Sequence, residues 1–288
     1  LRNLVGRLVL REVMDDLRAS LKPFQLAVGI KGGVEAVVHA VRGVLEKCPD
    51  WGLLQVDFEN MFNEISRDGV LNAVMRRCPR ALPFVRALYC RESTISLRVS
   101  KEQVIAFFCE SQQGVFQGDA LGTALACCLL ADFQDALKQH MDDNNFDFVQ
   151  LAIADDLSIL GDPAALQCAY GCITSMAPAK RAGLIAPEPW ALKCRESKCK
   201  LYRPRGLGCF DDAVAPDGTQ GAYPIHASVE RGPDGVRCVG APIGSAAFCE
   251  SFCQELVTEK YAVRLQRIAK FPDTQSALLF LRFSFFFI

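Results

Sequence analysis

The chain has 288 residues, half of them hydrophobic, with 14 cysteines and a net charge of -1. That length allows one large or two small domains with a substantial core, and the near-neutral balance excludes a free-standing basic nucleic-acid module while leaving room for a local basic groove. No Cys-x-x-Cys occurs, and His39, His140 and His226 lie far apart; the thiols therefore read as core or helix-face groups in a reducing, intracellular compartment rather than a zinc or disulfide framework.

In chain order, residues 1–20 predict a helix with Leu4, Leu8, Val9, Val13 and Leu17 on one face. Pro23 and the glycines of 29–33 break it, and that loop reads as a plain turn rather than a phosphate cradle. A second helix over 34–45 carries His39, which reads as packed. Residues 51–58 predict a buried strand with Asp57 near its end, followed by a turn and a helix over 66–77 capped by Ser66. A short helix over 83–90 precedes two strands, 94–99 and 104–109, joined by a polar turn at 100–102. The stretch 111–122 has three glycines and three glutamines and reads as a loop running into an apolar helix over 123–137.

Next comes Phe148-Val-Gln-Leu-Ala-Ile-Ala-Asp155-Asp156-Leu-Ser-Ile-Leu-Gly161. Apolar alternation on both sides of two aspartates reads as strand, turn, strand, with the carboxylates at the tip. Three other Asp-Asp pairs (15–16, 142–143 and 211–212) lie in charged or polar surroundings and serve as a control. Only Asp155-Asp156 is held by apolar strands, where two like charges are costly unless a cation neutralises them. Hard carboxylate oxygens suit Mg²⁺. A helix over 163–181 follows. Residues 181–205 then hold seven basic and two acidic side chains, the one clearly basic stretch. Residues 206–235 read as an insertion loop, 236–243 as a strand and 245–270 as a helix. The apolar run 278–288 contains Arg282 and is too short to cross a bilayer, so no membrane partner is expected. The chain starts without Met and ends inside this run, which reads as a fragment.

If the strands ending at Asp57 and starting at Asp156 are neighbours, three carboxylates converge, the set needed for two Mg²⁺ ions about 4 Å apart. Here the residues resemble the reverse transcriptase family, most nearly its non-LTR retrotransposon (LINE-like) branch. Val56-Asp57-Phe58-Glu59-Asn60-Met61-Phe62 resembles the first palm motif. The stretch 113–122 resembles the Gly-x-Pro-Gln-Gly loop, and Ala154-Asp155-Asp156-Leu157 the Tyr/Phe-Ala-Asp-Asp motif. Ser197-Lys198-Cys199-Lys200 resembles the lysine motif, and Cys238-Val239-Gly240 the turn that grips the primer. Order and spacing agree over residues 20–245.

The resemblance implies an α+β fold: a polymerase palm, a ferredoxin-like antiparallel sheet backed by helices, with partial fingers and the start of a thumb. It implies partial fingers over 1–50, the palm over 51–245 with part of the fingers at 78–115, and a truncated thumb over 246–288. The implied activity is RNA-directed DNA polymerisation on an RNA template and DNA primer with dNTPs, two Mg²⁺ ions (or Mn²⁺ in their place) and a nuclear location. Asp57, Asp155 and Asp156 would hold the metals, with the Phe58 carbonyl as a further ligand. Phe62 would exclude a 2′-hydroxyl, Gln117 and Gly118 would contact nucleotide and template, and Lys198 would sit near the triphosphate, with Lys193 and Lys200 as competitors. Departures are Ile153 for the aromatic before the aspartates, Phe116 for the loop proline, and Asp119-Ala120 after Gln-Gly. Asp119 is expected to set an extra negative charge near the triphosphate. The family's basic fingers residues are expected upstream of Leu1, and no endonuclease or ribonuclease H signature is present. The competing readings are an inactive retroelement-derived fragment that only binds nucleic acid and an RNA-dependent RNA polymerase. Met61 and Phe62, where that class carries a second aspartate, disfavour the latter.

Overall fold

Strand β1 (Gly52–Val56) is the middle strand of a five-stranded sheet. Its adjacent Leu53 and Leu54 are both fully buried, and since successive side chains point to opposite faces the strand is covered on both. The computed structural model describes residues 2–91, 93–98, 104–116, 118–175, 190–210, 225–276 and 278. The chain divides into two compact units, 1–233 and 234–288.

In the first unit, β1 pairs antiparallel with β5 (Asp156–Gly161), and β5 pairs antiparallel with β4 (Phe148–Ile153). On the other side β1 pairs antiparallel with β6 (Lys200–Tyr202), and β7 (Glu230–Arg231) closes that edge parallel to β6. The sheet is thus mixed, which corrects the expectation of a purely antiparallel one. The cause is that the end of the 206–235 segment returns to the core: Ile225 and Val229 are buried, and the Glu230 and Gly232 amides donate to the carbonyls of Cys199 and Leu201. A two-residue strand has no alternation to read. A separate hairpin pairs β2 (Ser93–Arg98) with β3 (Val104–Ser111); its expected turn lies outside the described residues.

Seven helices in this unit are described: α1 (Arg2–Leu21), α2 (Gly33–Lys47), α3 (Met61–Glu64), α4 (Arg67–Arg77), α5 (Leu82–Tyr89), α6 (Gly122–Asp143) and α7 (Pro163–Ser175). In α1 the buried stripe is Gly6, Val13, Leu17 and Leu21, whereas Leu4 and Leu8 are exposed. At 100° per residue Leu4 lies opposite Val13, so a face containing both was too wide. His39, expected to be packed, is exposed on α2. Helix α6 is buried nearly all round and holds Cys127 and Cys128 in the core, where burial pushes the Cys128 thiol up to about 12. Arg77 joins three helices: its Nε donates to Asp132 on α6 at 2.6 Å and its Nη1 to the Ser20 carbonyl of α1 at 2.9 Å.

In the second unit, β8 (Gly235–Cys238) and β9 (Ala241–Gly244) form a hairpin where one strand is expected. Its turn places Val239 and Gly240 at φ 41° and 92°. A β-branched residue at positive φ gives no turn signal in a sequence. The expected single helix over 245–270 is α8 (Ala246–Glu255), a π-helical turn (Leu256–Tyr261) and α9 (Ala262–Ala269). No described helix is long and apolar enough to cross a membrane.

Candidate active site

The sheet register brings the predicted carboxylates together. Val56 on β1 pairs with Leu157 on β5, so the next residue, Asp57, falls beside Asp156. Ile153 pairs with Asp156 across the β4–β5 hairpin, leaving Ala154 and Asp155 as its tip. Asp57, Asp155 and Asp156 therefore share one end of the sheet.

The tip is held by a residue that sequence reasoning did not single out. Ala154 adopts φ 54°, a left-handed conformation that costs a non-glycine residue about 1–2 kcal/mol. The fully buried Gln25 offsets this: its Nε2 donates to the Ala154 carbonyl at 2.9 Å, and its Oε1 accepts from the Ala154 amide at 2.9 Å and from Ala27 at 3.2 Å. The main chain around Gln25 also extends the sheet edge, with Leu26 N–H donating to Ala152 and Ala152 N–H donating to Phe24.

The three carboxylates crowd like charges together. Asp156 has its pKa raised by loss of water, then by the charges of Asp155 and Asp57, all in the same direction even though part of the residue remains exposed. Among the described residues no ion pair engages any of the three. They do not converge to a tight one-ion spacing. A set of hard oxygen donors with unrelieved mutual repulsion fits divalent cations.

Asp57 is fixed by its backbone, whose N–H donates to Cys199 Sγ at 3.4 Å and whose carbonyl accepts from Arg195 N–H at 2.8 Å. Phe58 buries its ring against Phe133 in an edge-to-face contact at 5.9 Å, leaving only main-chain atoms for a ligand. The turn lying on Asp57 carries Lys198, which is exposed. Of its competitors, Lys193 lies 4.0 Å from Glu64, and Lys200 3.6 Å from Glu230. Arg203 and Arg205 both pair with Asp50, so much of the described basic stretch is neutralised locally.

The 111–122 loop is anchored on the Phe62 turn. Phe62, half-buried, accepts from Val115 N–H at 2.7 Å through its carbonyl. Gly114, at φ 73°, lies so close that a Cβ would fall 2.4 Å from the Asn63 carbonyl oxygen. Gln113 donates to Glu64. Gly118, at φ 84°, has open space beside it; Gln117 lies outside the described residues. Beneath the loop, buried Arg67 donates to the carbonyls of Gly114, Arg91 and Ser111 and to the Ser111 hydroxyl.

Asp119 corrects an expectation. Its side chain is 1% exposed and accepts from Arg2 at 2.8 Å and Tyr89 at 2.7 Å. Burial alone would raise its pKa, but the bonds from Tyr89, Arg2 and the Leu121 amide together lower it. Arg2 also lies 4.0 Å over the Phe116 ring, which packs on Tyr89 at 5.2 Å. The two departures from the family loop, Phe116 and Asp119, thus form one anchor with Arg2 and Tyr89, and Asp119 presents no loose charge to a ligand.

No protein-family model matches the chain, and no curated protein matches it. Among solved structures, it is similar to apo telomerase from Candida tropicalis truncated from its C-terminal domain, with TM-score 0.53 and 12% identity over 70% of this chain and 41% of that one. It is likewise similar to apo telomerase from Candida tropicalis, with TM-score 0.52 and 13% identity over 69% of this chain and 35% of that one. The chain spans less than half the length of either. At such identity the likeness is one of fold: the chain shares the fold of the part of these telomerases that it matches.

Proposed function

We propose that this chain is the polymerase region of an RNA-directed DNA polymerase of the non-LTR retrotransposon kind, extending a DNA primer on an RNA template with dNTPs. The observation that carries this is the register that sets Asp57 beside the Asp155-Asp156 tip with no basic partner among the described residues. Asp57, Asp155, Asp156 and the Phe58 carbonyl would hold two Mg²⁺ ions. When bound, these ions would acidify the primer 3′-hydroxyl and stabilise charge on the transferring phosphate.

The protein's own part is positioning. Phe62, on the turn that carries the loop, would meet the sugar of the nucleotide and leave no room for a 2′-hydroxyl. Gly118 leaves open space through which a nucleotide or template strand can approach the backbone. Lys198, the member of the lysine trio that no ion pair engages among the described residues, would bind the triphosphate and donate its Nζ proton to pyrophosphate.

Primer extension on an RNA template with dNTPs and Mg²⁺ tests this. The expected result is extension by the wild type, and rNTP incorporation by Phe62→Ala. Absence of extension by the wild type would leave a nucleic-acid-binding fragment, and a wild-type preference for rNTPs would indicate RNA synthesis instead.

A further inference from the structure

Outside the carboxylate site, one cluster joins residues that the sequence keeps apart. His140 lies in the last turn of α6, and Cys168 and Cys172 are one turn apart on α7, so both thiols share a face. One ligand atom from each of the three lies within 4.8 Å of the others. His140 Nε2 is 3.7 Å from Cys168 Sγ. Tetrahedral zinc, with bonds of about 2.3 Å to sulfur and 2.0–2.1 Å to nitrogen, sets its ligand atoms roughly 3.5–3.8 Å apart. From this geometry we propose that His140, Cys168 and Cys172 form a site for a thiophilic divalent cation, Zn²⁺ above all, that clips α6 to α7.

The chemistry of the cluster suits that ion. One imidazole and two thiols are borderline-to-soft donors that favour Zn²⁺ over Mg²⁺. Cys172 is buried while His140 and Cys168 are half-exposed, so an ion can enter from solvent and a water can take the fourth position. Binding releases the thiol protons to solvent. The core thiols Cys127 and Cys128 share none of this, being buried within α6. The site shares no residue with the aspartate cluster, so it stands whether or not the chain is a polymerase.

The test is titration of the full, reduced chain with Co²⁺ and then Zn²⁺, read by absorption, with metal analysis after dialysis against Zn²⁺. The expected result is one equivalent bound, with thiolate-to-cobalt charge transfer and the strong visible bands of tetrahedral cobalt, displaced by Zn²⁺. Cys168→Ser should lose the signal, and His140→Asn, altered at a half-exposed side chain, should weaken it at least tenfold. A control at the exposed Cys253→Ser should leave it unchanged. Zn²⁺ should also raise the melting temperature of the wild type and not of Cys168→Ser. A wild type that binds no Co²⁺, bands without thiolate character, or a signal that persists in both site variants overturns the proposal.

Discussion

At Asp156 the crowding of like charges works against the fold. Its folded pKa is raised by burial and by Asp155 and Asp57, so its ionised form disfavours the fold. That penalty is complete where the side chain is ionised in both states and fades as pH falls through the raised folded pKa. In chelator, Asp156→Asn should therefore melt higher than wild type at pH 7, and the gap should close under acid; an equal or lower melting temperature at pH 7 contradicts the repulsion. Gln25 acts on the same tip. Gln25→Leu would orphan the Ala154 amide and carbonyl, costing about 1–3 kcal/mol of stability. If Gln25 positions the aspartates, the variant should also need more Mg²⁺ for half-maximal activity, and an unchanged Mg²⁺ dependence would reduce it to a structural role. Of these residues the aspartates were legible, because apolar alternation on both sides of a charged pair is a local pattern. Gln25 was not, since its bonds reach Ala154 across 129 positions. Asp119 was misread for the same reason: Arg2 and Tyr89, which neutralise and bury it, lie 117 and 30 positions away.

At the scale of elements, the decisive feature is the seating of the 111–122 loop on α3. Gly114 permits it twice over, by its positive φ and by the absence of a Cβ against the Asn63 and Phe62 carbonyls. Gly114→Ala should cost roughly 1–3 kcal/mol in denaturant unfolding and raise the KM for nucleotide. A substitution without effect on either would mean that the loop is not held through this contact. Strongly apolar or alternating elements such as β1, the β4–β5 hairpin and α6 were readable. The mixed edge of the sheet was not, because strands of three and two residues carry no period. The β8–β9 turn was hidden by valine at a position where glycine or asparagine would have marked it.

Across the first unit, chain segments far apart in sequence meet at one end of the sheet: the turn after α1, the end of β1, the β4–β5 tip and the Glu196–Lys198 turn. The fold supplies this convergence, and under the proposed function its central consequence is that Asp57, just past β1, and Asp155, at the hairpin tip, would act as one unit. Single-nucleotide incorporation on a primed RNA template, measured for wild type, Asp57→Asn, Asp155→Asn and the double variant, tests that most directly. Each single substitution should lower the rate by at least about 10³-fold, and the double should be little worse than either, because groups that share a transition-state role are not additive. A rate that survives Asp57→Asn, or losses that multiply in the double variant, would contradict a shared centre.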